Sequence, residues 1–345
     1  MSGLIQAQTD LGSLNSFGVA AKARWFAGIE SRDDLEAALS FARERELPLL
    51  VLGGGSNCLF VKDFPGLVMQ IRTTGIQWLE TPDRVRAAAG ENWHQLVTNC
   101  LNKGKHGLEN LALIPGSVGA APIQNIGAYG VELSQFLIEL ETLDLKTGQW
   151  LTMDRDACDF GYRSSVFKTQ AELRYLIWNV TLQLDSERPP QTGYGALRAA
   201  LNGKALEGMA LNGNSVSPRQ VYDTVIKLRQ SKLPDPALLG NAGSFFKNPL
   251  VSEAKYETLR ADYPELPAFP AEAAGLVKLP AAWLLEQAGW KGRRRGQAGV
   301  HDRHALVLVN HGGASGEDIY LLAQEMSLSV LEKFGIALEP EVRII

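Results

Sequence analysis

Cysteine is scarce: Cys58, Cys100 and Cys158 are the three in a chain of 345 residues, far apart and without CxxC spacing. That excludes a disulfide framework and a paired-thiol zinc site, and a reducing compartment fits best. No apolar run approaches the ~18 residues that would suggest a membrane-spanning helix. The stretch from Met1 to Asp10 has neither a basic region nor an apolar core, so it does not read as a secretion signal. Basic charge is not in excess either: Lys+Arg number 34 against Asp+Glu 38, a net charge of −4. Such a chain is not built to coat nucleic acid or an anionic membrane. Internal repeats and low-complexity segments are missing as well. What is present is ordinary globular composition, 45% hydrophobic and 21% charged. At roughly 150 residues per domain the length suggests two or three domains. A soluble, cytoplasmic α/β or α+β protein is expected.

Local signals mark the elements. Arg24 to Glu30 is apolar enough for a strand, and Ser31 with Asp34 opens a helix whose Leu35, Ala38, Leu39 and Ala42 share one face. Pro48 follows, and Leu49 to Leu52 reads as a buried strand, which completes a β-α-β unit. Leu67 to Ile71, Ile76 to Glu80, Val85 to Ala89 and Tyr175 to Leu184 are further strands, and Trp93 to Leu101 has helical spacing ended by Gly104. Leu137 to Leu145 and Trp150 to Met153 flank Lys146-Thr147-Gly148 as a hairpin. Beyond this strand-rich middle, Ser217-Pro218-Arg219-Gln220 and Ser315 with Asp318 cap two helices. Trp283 to Gln287 reads as a third helix and Ala305 to Val309 as a strand, while Lys232-Leu233-Pro234-Asp235-Pro236 looks like a domain joint.

Three segments could carry chemistry. Gly53-Gly54-Gly55-Ser56-Asn57 follows a strand, so a sharply turning backbone can bring N–H groups to an anion. It is neither GxGxxG nor a Walker loop, and a bland tight turn is equally open. Ile114 through Gly130 packs small residues, Pro115, Pro122, Gln124 and Asn125 into a stretch without a clean period. Exposed backbone of that kind suits a large flat ligand; the alternative is an ordered loop sealing two sheets. Gly240 through Pro249 sets Ser244 between glycine and paired phenylalanines, without the elbow or partners of a hydrolase triad. Other candidates are weaker. His301 and His304 lack a carboxylate partner for metal binding, Lys291 to Arg295 reads as a solvated basic loop, and Glu339 to Arg343 reads by itself as a surface tail.

Together these segments resemble the UDP-N-acetylenolpyruvoylglucosamine reductase family (UDP-N-acetylmuramate dehydrogenases), flavoenzymes of peptidoglycan precursor synthesis. The resemblance rests on Gly53 to Asn57, Ile114 to Gly130, Gly161-Tyr162-Arg163-Ser164-Ser165-Val166-Phe167-Lys168, Lys232 to Pro249 and Leu338 to Arg343, in the family's order. Tyr194, within Thr192-Gly193-Tyr194-Gly195, resembles the tyrosine loop of the larger of the family's two types.

The resemblance implies an α+β fold, with a vanillyl-alcohol-oxidase-like two-part FAD-binding region and a C-terminal α/β substrate-binding domain. The expected divisions are a βαβ subdomain over 1–70, a strand-rich subdomain over 71–232, a substrate domain over 233–335, and a segment over 336–345 that returns to the active site. FAD would be held by Gly53, Gly54, Gly55, Ser56 and Asn57, by Ser117, Gly119, Gln124, Asn125 and Gly127, and by Arg229. NADPH is the implied co-substrate and the enolpyruvyl ether of UDP-N-acetylglucosamine the substrate, bound through Tyr129, Tyr194, Lys232, Asn248 and Arg343. Hydride addition to the vinyl carbon leaves negative charge beside the substrate carboxylate, so the site needs electrostatic stabilisation and an acid. Arg163 matches the family's catalytic arginine, Ser244 its proton donor and Glu341 its catalytic glutamate, which must be protonated to donate to an enol-like intermediate. No metal is implied, and the protein is expected to act in the cytoplasm as a monomer. His304 stands where some relatives have glutamine, and Cys58 where an aliphatic residue is common.

Two other readings remain at this point. An oxygen-using flavoprotein oxidase would share the glycine loops but has no need of a serine acid or a nucleotide-sugar lysine. A non-catalytic nucleotide- or RNA-binding module would use Lys291 to Arg295 and be colourless.

Overall fold

The computed structural model describes residues 3–168, 174–206, 216–271 and 273–345. The chain divides into two compact units, one comprising Met1–Thr9, Ala23–Gly55 and Pro65–Ser231, the other Asp10–Lys22, Ser56–Phe64 and Lys232–Ile345. Two stretches near the N-terminus, 10–22 and 56–64, thus belong with the C-terminal unit.

The first unit is built on two sheets. One has the strand order Ile5–Asp10, Lys22–Ile29, Phe64–Ile71, Leu49–Leu52, with the last two parallel and Leu49 opposite Leu67. The helix Arg32–Glu44 begins where the sequence indicates. Ser31 Oγ accepts the Asp34 N–H at 3.1 Å, and the Asp34 carboxylate accepts the Ser31 N–H at 2.9 Å. A cap of this kind contributes roughly 1 kcal/mol. Its buried face, Leu35, Ala38, Leu39 and Ala42, packs in one core with Ala27, Ile29, Leu67 and Met69 and with Leu143, Leu176 and Trp178 of the second sheet.

That second sheet is antiparallel, in the order Trp150–Asp154, Leu137–Asp144, Tyr175–Gln183, Arg84–Ala88, Ile76–Trp78. Its hairpin is closed by Asp144, whose Oδ1 accepts the N–H groups of Lys146 at 2.9 Å and Thr147 at 3.2 Å. The helix Trp93–Asn102 buries Trp93, Leu96, Val97, Cys100 and Leu101 in the unit's larger core. The helix Pro218–Lys232 has its own capping box, in which Ser217 and Gln220 exchange bonds of 2.8 and 3.2 Å.

The second unit carries a sheet ordered Gly240–Ser244, Val307–Asn310, Ala298–Val300, Arg294–Arg295, and a smaller one ordered Leu250–Ser252, Leu276–Lys278, Phe269–Pro270. The strand expected from Ala305 starts at Val307, because the Val307 N–H turns back onto the His304 carbonyl at 3.0 Å. Ser315 and Asp318 cap the helix Gly316–Phe334 as the sequence indicates. The C-terminal strand Arg343–Ile344 lies parallel to Cys58–Leu59. Among the described residues no helix is long and apolar enough to cross a membrane, and no cluster of His, Cys, Asp and Glu could hold a metal. The architecture is α+β, as the sequence implies.

Candidate active site

In the first unit the two glycine-rich ribbons meet. A Cβ on Gly53 would lie 2.4 Å from Ser117 Oγ, and one on Gly54 only 3.2 Å from the Gly116 Cα. Gly119 is pressed as closely on the neighbouring strand end: its N–H donates to the Ala89 carbonyl at 2.8 Å, and a Cβ would lie 2.5 Å from the Ala89 Cβ. The ribbons therefore pack main chain against main chain with no room for side chains between them, and a glycine-rich edge of this kind lets a pyrophosphate or a flat ring approach the peptide groups directly. The ribbon from Leu111 to Gly119 is laced to the approach of the helix Trp93–Asn102. Trp93 donates from Nε1 to the Leu111 carbonyl at 3.0 Å and from its N–H to the Gly116 carbonyl at 3.1 Å, and the Val118 N–H reaches the Glu91 carbonyl at 2.8 Å.

Farther along the second ribbon, Asn125 is buried with φ 45°, a left-handed conformation that asparagine tolerates better than most residues. Its side chain is committed to the protein, donating to Glu132 Oε2 at 2.8 Å and the Gly161 carbonyl at 3.3 Å and accepting the Ser134 N–H at 3.0 Å. Gln124 Oε1 accepts from Lys168 Nζ at 3.3 Å. The turn that presents Arg163 docks on the same stretch. Gly161 and Ser164 exchange backbone bonds of 3.1 Å across Tyr162 and Arg163, and Arg163 has φ 52°. Arg163 Nη2 donates to the Gly127 carbonyl at 2.7 Å. Ser165, which the sequence reading did not single out as a site residue, is buried and donates from Oγ to the Ile123 carbonyl at 2.6 Å, so it anchors the arginine turn. A small polar residue beside the arginine was the one available signal.

Tyr129 meets Tyr194 edge to face, with ring centroids 5.5 Å apart. Burial pushes the Tyr129 phenol above its ordinary pKa, with the Arg229 charge opposing it. Arg229 donates from Nε to the Leu113 carbonyl at 3.2 Å. Burial draws its guanidinium below the ordinary value, Tyr129 opposes the shift, and the second cation, Arg163, adds to it. Two cations and two phenols thus gather in one part of the first unit, an arrangement that invites an anion.

The second unit gathers a different set. Ser244 ends its strand at a bulge after Asn241, whose amide is fixed by the Pro234 and Leu239 carbonyls and by the Gly243 N–H. The next residue, Phe245, donates to the Leu306 carbonyl at 2.8 Å, and its own carbonyl accepts the Glu341 N–H at 2.7 Å. Ser244 and Glu341 therefore stand on adjacent, hydrogen-bonded chains. On the other side Asn57 Nδ2 donates to the Glu341 carbonyl at 3.2 Å, and the Asn57 carbonyl accepts the Arg343 N–H at 3.1 Å. Cys58 beside them is buried, and that burial pushes its thiol up to about 12, with Arg343 opposing. Asn248 caps the helix Ala281–Gln287 by accepting the Ala281 N–H at 3.0 Å. The cap uses the carbonyl end of the amide, and the NH2 end is a donor. Burial, followed by the charge of Lys232, holds His304 below its ordinary pKa, so these two residues share one neighbourhood. The basic run is largely committed: Lys291 pairs with Glu286 at 3.1 Å, Arg294 bonds Gln297 at 2.7 Å, and Arg295 pairs with Glu325.

The expected site residues thus fall into two groups. Gly53, Gly54, Gly55, Ser117, Gly119, Gln124, Asn125, Gly127, Tyr129, Arg163, Tyr194 and Arg229 belong to the first unit. Ser56, Asn57, Lys232, Ser244, Asn248, Glu341 and Arg343 belong to the second.

Comparison with known proteins bears on the family and the fold. A family model described as an FAD binding domain matches residues 24–154, and one described as the C-terminal domain of UDP-N-acetylenolpyruvoylglucosamine reductase matches residues 235–345. The UDP-N-acetylenolpyruvoylglucosamine reductase of Amoebophilus asiaticus is 47% identical over 99% of this chain and 99% of its own length. That of Chromobacterium violaceum is 48% identical over 99% and 98%. The solved UDP-N-acetylenolpyruvylglucosamine reductase from Thermus caldophilus shares the fold, with a TM-score of 0.67, 23% identity and coverage of 99% and 98%. So does 6-hydroxy-D-nicotine oxidase from Arthrobacter nicotinovorans, at a TM-score of 0.54 and 16% identity over 98% and 87% of the two chains. An oxidase on the same fold means that architecture alone does not select the reaction. Full-length identity does select the lineage, and the chain belongs to the UDP-N-acetylenolpyruvoylglucosamine reductase family.

Proposed function

We propose that the protein is the FAD-containing, NADPH-dependent reductase that converts the enolpyruvyl ether of UDP-N-acetylglucosamine into UDP-N-acetylmuramate for peptidoglycan synthesis. Bound FAD supplies the hydride-transfer chemistry, with NADPH as the electron source. Gly53 and Gly54, where a Cβ would strike Ser117 or Gly116, keep the two ribbons in backbone contact, and a glycine-lined edge of this kind fits that cofactor. On this reading Gly53 to Asn57 take the pyrophosphate, and Ser117 and Gly119 border the ring. Asn125, whose amide is already engaged, serves by holding the loop's shape.

The protein's own groups do the rest. Hydride arriving at the terminal vinyl carbon leaves negative charge on the adjacent carbon, conjugated with the substrate carboxylate. Arg163 holds that carboxylate with a planar guanidinium. Ser244 Oγ delivers a proton to the adjacent carbon, and Glu341 hydrogen-bonds the developing charge from the chain beside it. The single observation that supports these two roles is the Phe245–Glu341 backbone bond at 2.7 Å, which joins the chain segments that carry the serine and the glutamate. Lys232 and the NH2 of Asn248 suit the diphosphate, Tyr129 and Tyr194 flank the nucleotide, and Arg343 joins the substrate side.

We place the enzyme in the cytoplasm as a monomer, with a role in cell-wall growth and hence in cell shape and division. The nucleotide-linked substrate and three buried cysteines that form no disulfide support that location. The experiment is spectroscopic. The purified protein should be yellow, bleach on addition of NADPH without oxygen, and regain its colour when the enolpyruvyl UDP-sugar is added. A colourless protein, or a bleached one that the sugar nucleotide cannot reoxidise, overturns the assignment.

A further inference from the structure

At Leu113 the lacing of the second ribbon passes from backbone to side chains. The Leu113 N–H donates to His94 Nδ1 at 3.1 Å, and the Leu113 carbonyl accepts from Arg229 Nε at 3.2 Å. Leu113 has φ 57°, a left-handed conformation that leucine keeps only where its surroundings hold it. The residue immediately precedes the Ile114-Pro115-Gly116-Ser117 stretch. We propose that His94, as the neutral tautomer with its proton on Nε2, is a positioning residue that locks Leu113 in this conformation and so sets how the Ile114–Gly119 ribbon meets FAD, and that protonating His94 releases the lock.

The geometry dictates the tautomer. An N–H donor at 3.1 Å requires an unprotonated Nδ1, and a proton there would set two donors against each other. The ring is held from outside the ribbon. It stacks on Tyr222 with centroids 5.8 Å apart and planes 15° from parallel, and the Tyr222 hydroxyl is tied to Thr98 Oγ1 at 2.7 Å. The titratable and charged groups acting on His94 are Tyr222 and Arg229 from the helix Pro218–Lys232, and Arg229 in turn feels the charges of Tyr129 and Arg163. The histidine's own helix carries no charged residue between Trp93 and Asn102. Burial, then the Arg229 cation, favours the neutral ring and holds its pKa below the usual 6.5. The sign follows. A histidine with a depressed native pKa keeps its full contribution above its ordinary pKa and loses it as pH falls from there toward the native value. The lock is closed at neutral pH and opens as pH falls past the lowered His94 value.

This inference rests on the reading that the ribbon borders FAD, and the test separates the two. Apoprotein is titrated with FAD, followed by flavin fluorescence, at pH 8 and pH 5.5 for wild type, His94→Phe and His94→Asn. His94→Phe keeps a ring for Tyr222 but strands the Leu113 N–H, so FAD should bind roughly ten- to a hundredfold more weakly, equally at both pH values. His94→Asn keeps an acceptor that does not titrate and should bind like wild type at pH 8, with no loss at pH 5.5. Wild type should fall toward the phenylalanine variant at pH 5.5 or, if nitrogen NMR shows His94 still neutral there, once the pH is lowered past its titration. Wild-type affinity in His94→Phe, or an asparagine variant that loses affinity in acid as wild type does, overturns the proposal and leaves the FAD reading standing. Failure of the wild type to bind FAD at any pH removes both. Should His94→Phe not fold, nitrogen NMR of the wild type decides: a proton on Nδ1 at pH 8 refutes the lock, and one on Nε2 supports it.

Discussion

Replacing Gly119 by alanine is the sharpest probe of the cofactor ribbon. A Cβ at this position would lie 2.5 Å from the Ala89 Cβ, 3.0 Å from its Cα and 3.2 Å from its carbonyl oxygen. None of these atoms can rotate aside, so the ribbon must retreat by about 1 Å to restore ordinary carbon–carbon contact. That retreat stretches the Gly119–Ala89 hydrogen bond, now 2.8 Å, out of bonding range. Overpacking costs about 1–3 kcal/mol. The lost bond adds roughly 1 kcal/mol. Together they predict a loss of about 2–4 kcal/mol in the apoprotein, or roughly 5–15 °C in melting temperature for a unit of this size. FAD should suffer separately, because each bond from a displaced ribbon is lost, with affinity falling roughly tenfold or more. Differential scanning calorimetry of the apoprotein and fluorescence titration with FAD measure the two effects. Adding Ala89→Gly removes the 2.5 Å contact but not the 3.0 Å one, so the double variant should recover part of the loss. Gly195→Ala, where a Cβ would meet nothing within 4 Å, is the neutral control. Gly119→Ala with unchanged melting and unchanged FAD affinity would refute the reasoning.

Three further outcomes are expected. Ser244→Ala should leave bleaching by NADPH intact while slowing reoxidation by the sugar nucleotide by orders of magnitude, as seen in rapid-mixing absorbance; unaltered turnover would remove Ser244 from the mechanism. Arg163→Lys should impair the same half-reaction, since a point charge replaces a planar fork, and wild-type kinetics would contradict the carboxylate role. Acid stability depends on Glu141. Burial raises its carboxyl, but bonds from Asn179 and Arg86 and the charges of Arg32 and Arg86 outweigh this and hold its pKa below the usual value. The stabilisation is therefore present above the ordinary glutamate pKa and lost as pH falls through the lowered one. In urea titrations Glu141→Gln should be less stable than wild type at pH 7, the gap closing below about pH 4. A gap independent of pH would show that the charge is not what stabilises.

The amino-acid sequence alone determined the features whose energetics are local. The capping pairs Ser31–Asp34, Ser217–Gln220 and Ser315–Asp318 form as read, because each partner lies within one helical turn. The hairpin at Lys146-Thr147-Gly148 forms for a similar reason, with Asp144 closing the turn from the adjoining strand. The family was also legible, since its motifs are contiguous runs such as Gly53 to Asn57 and Gly161 to Lys168. Only the tertiary structure decided which of those runs touch. That Gly53 abuts Ser117, that 56–64 belongs with the C-terminal unit, and that Glu341 pairs with Phe245 all depend on packing between residues distant in sequence. The same holds for how the amides are used. Asn125 and Asn248 look like ligand contacts in the sequence, yet buried polar groups must satisfy their partners first. The fold assigned the Asn125 amide to Glu132 and the Asn248 carbonyl to Ala281. His94 carried no signal at all, because its importance comes from its bond with Leu113, whose carbonyl in turn accepts from Arg229, and only folding brings the three residues together.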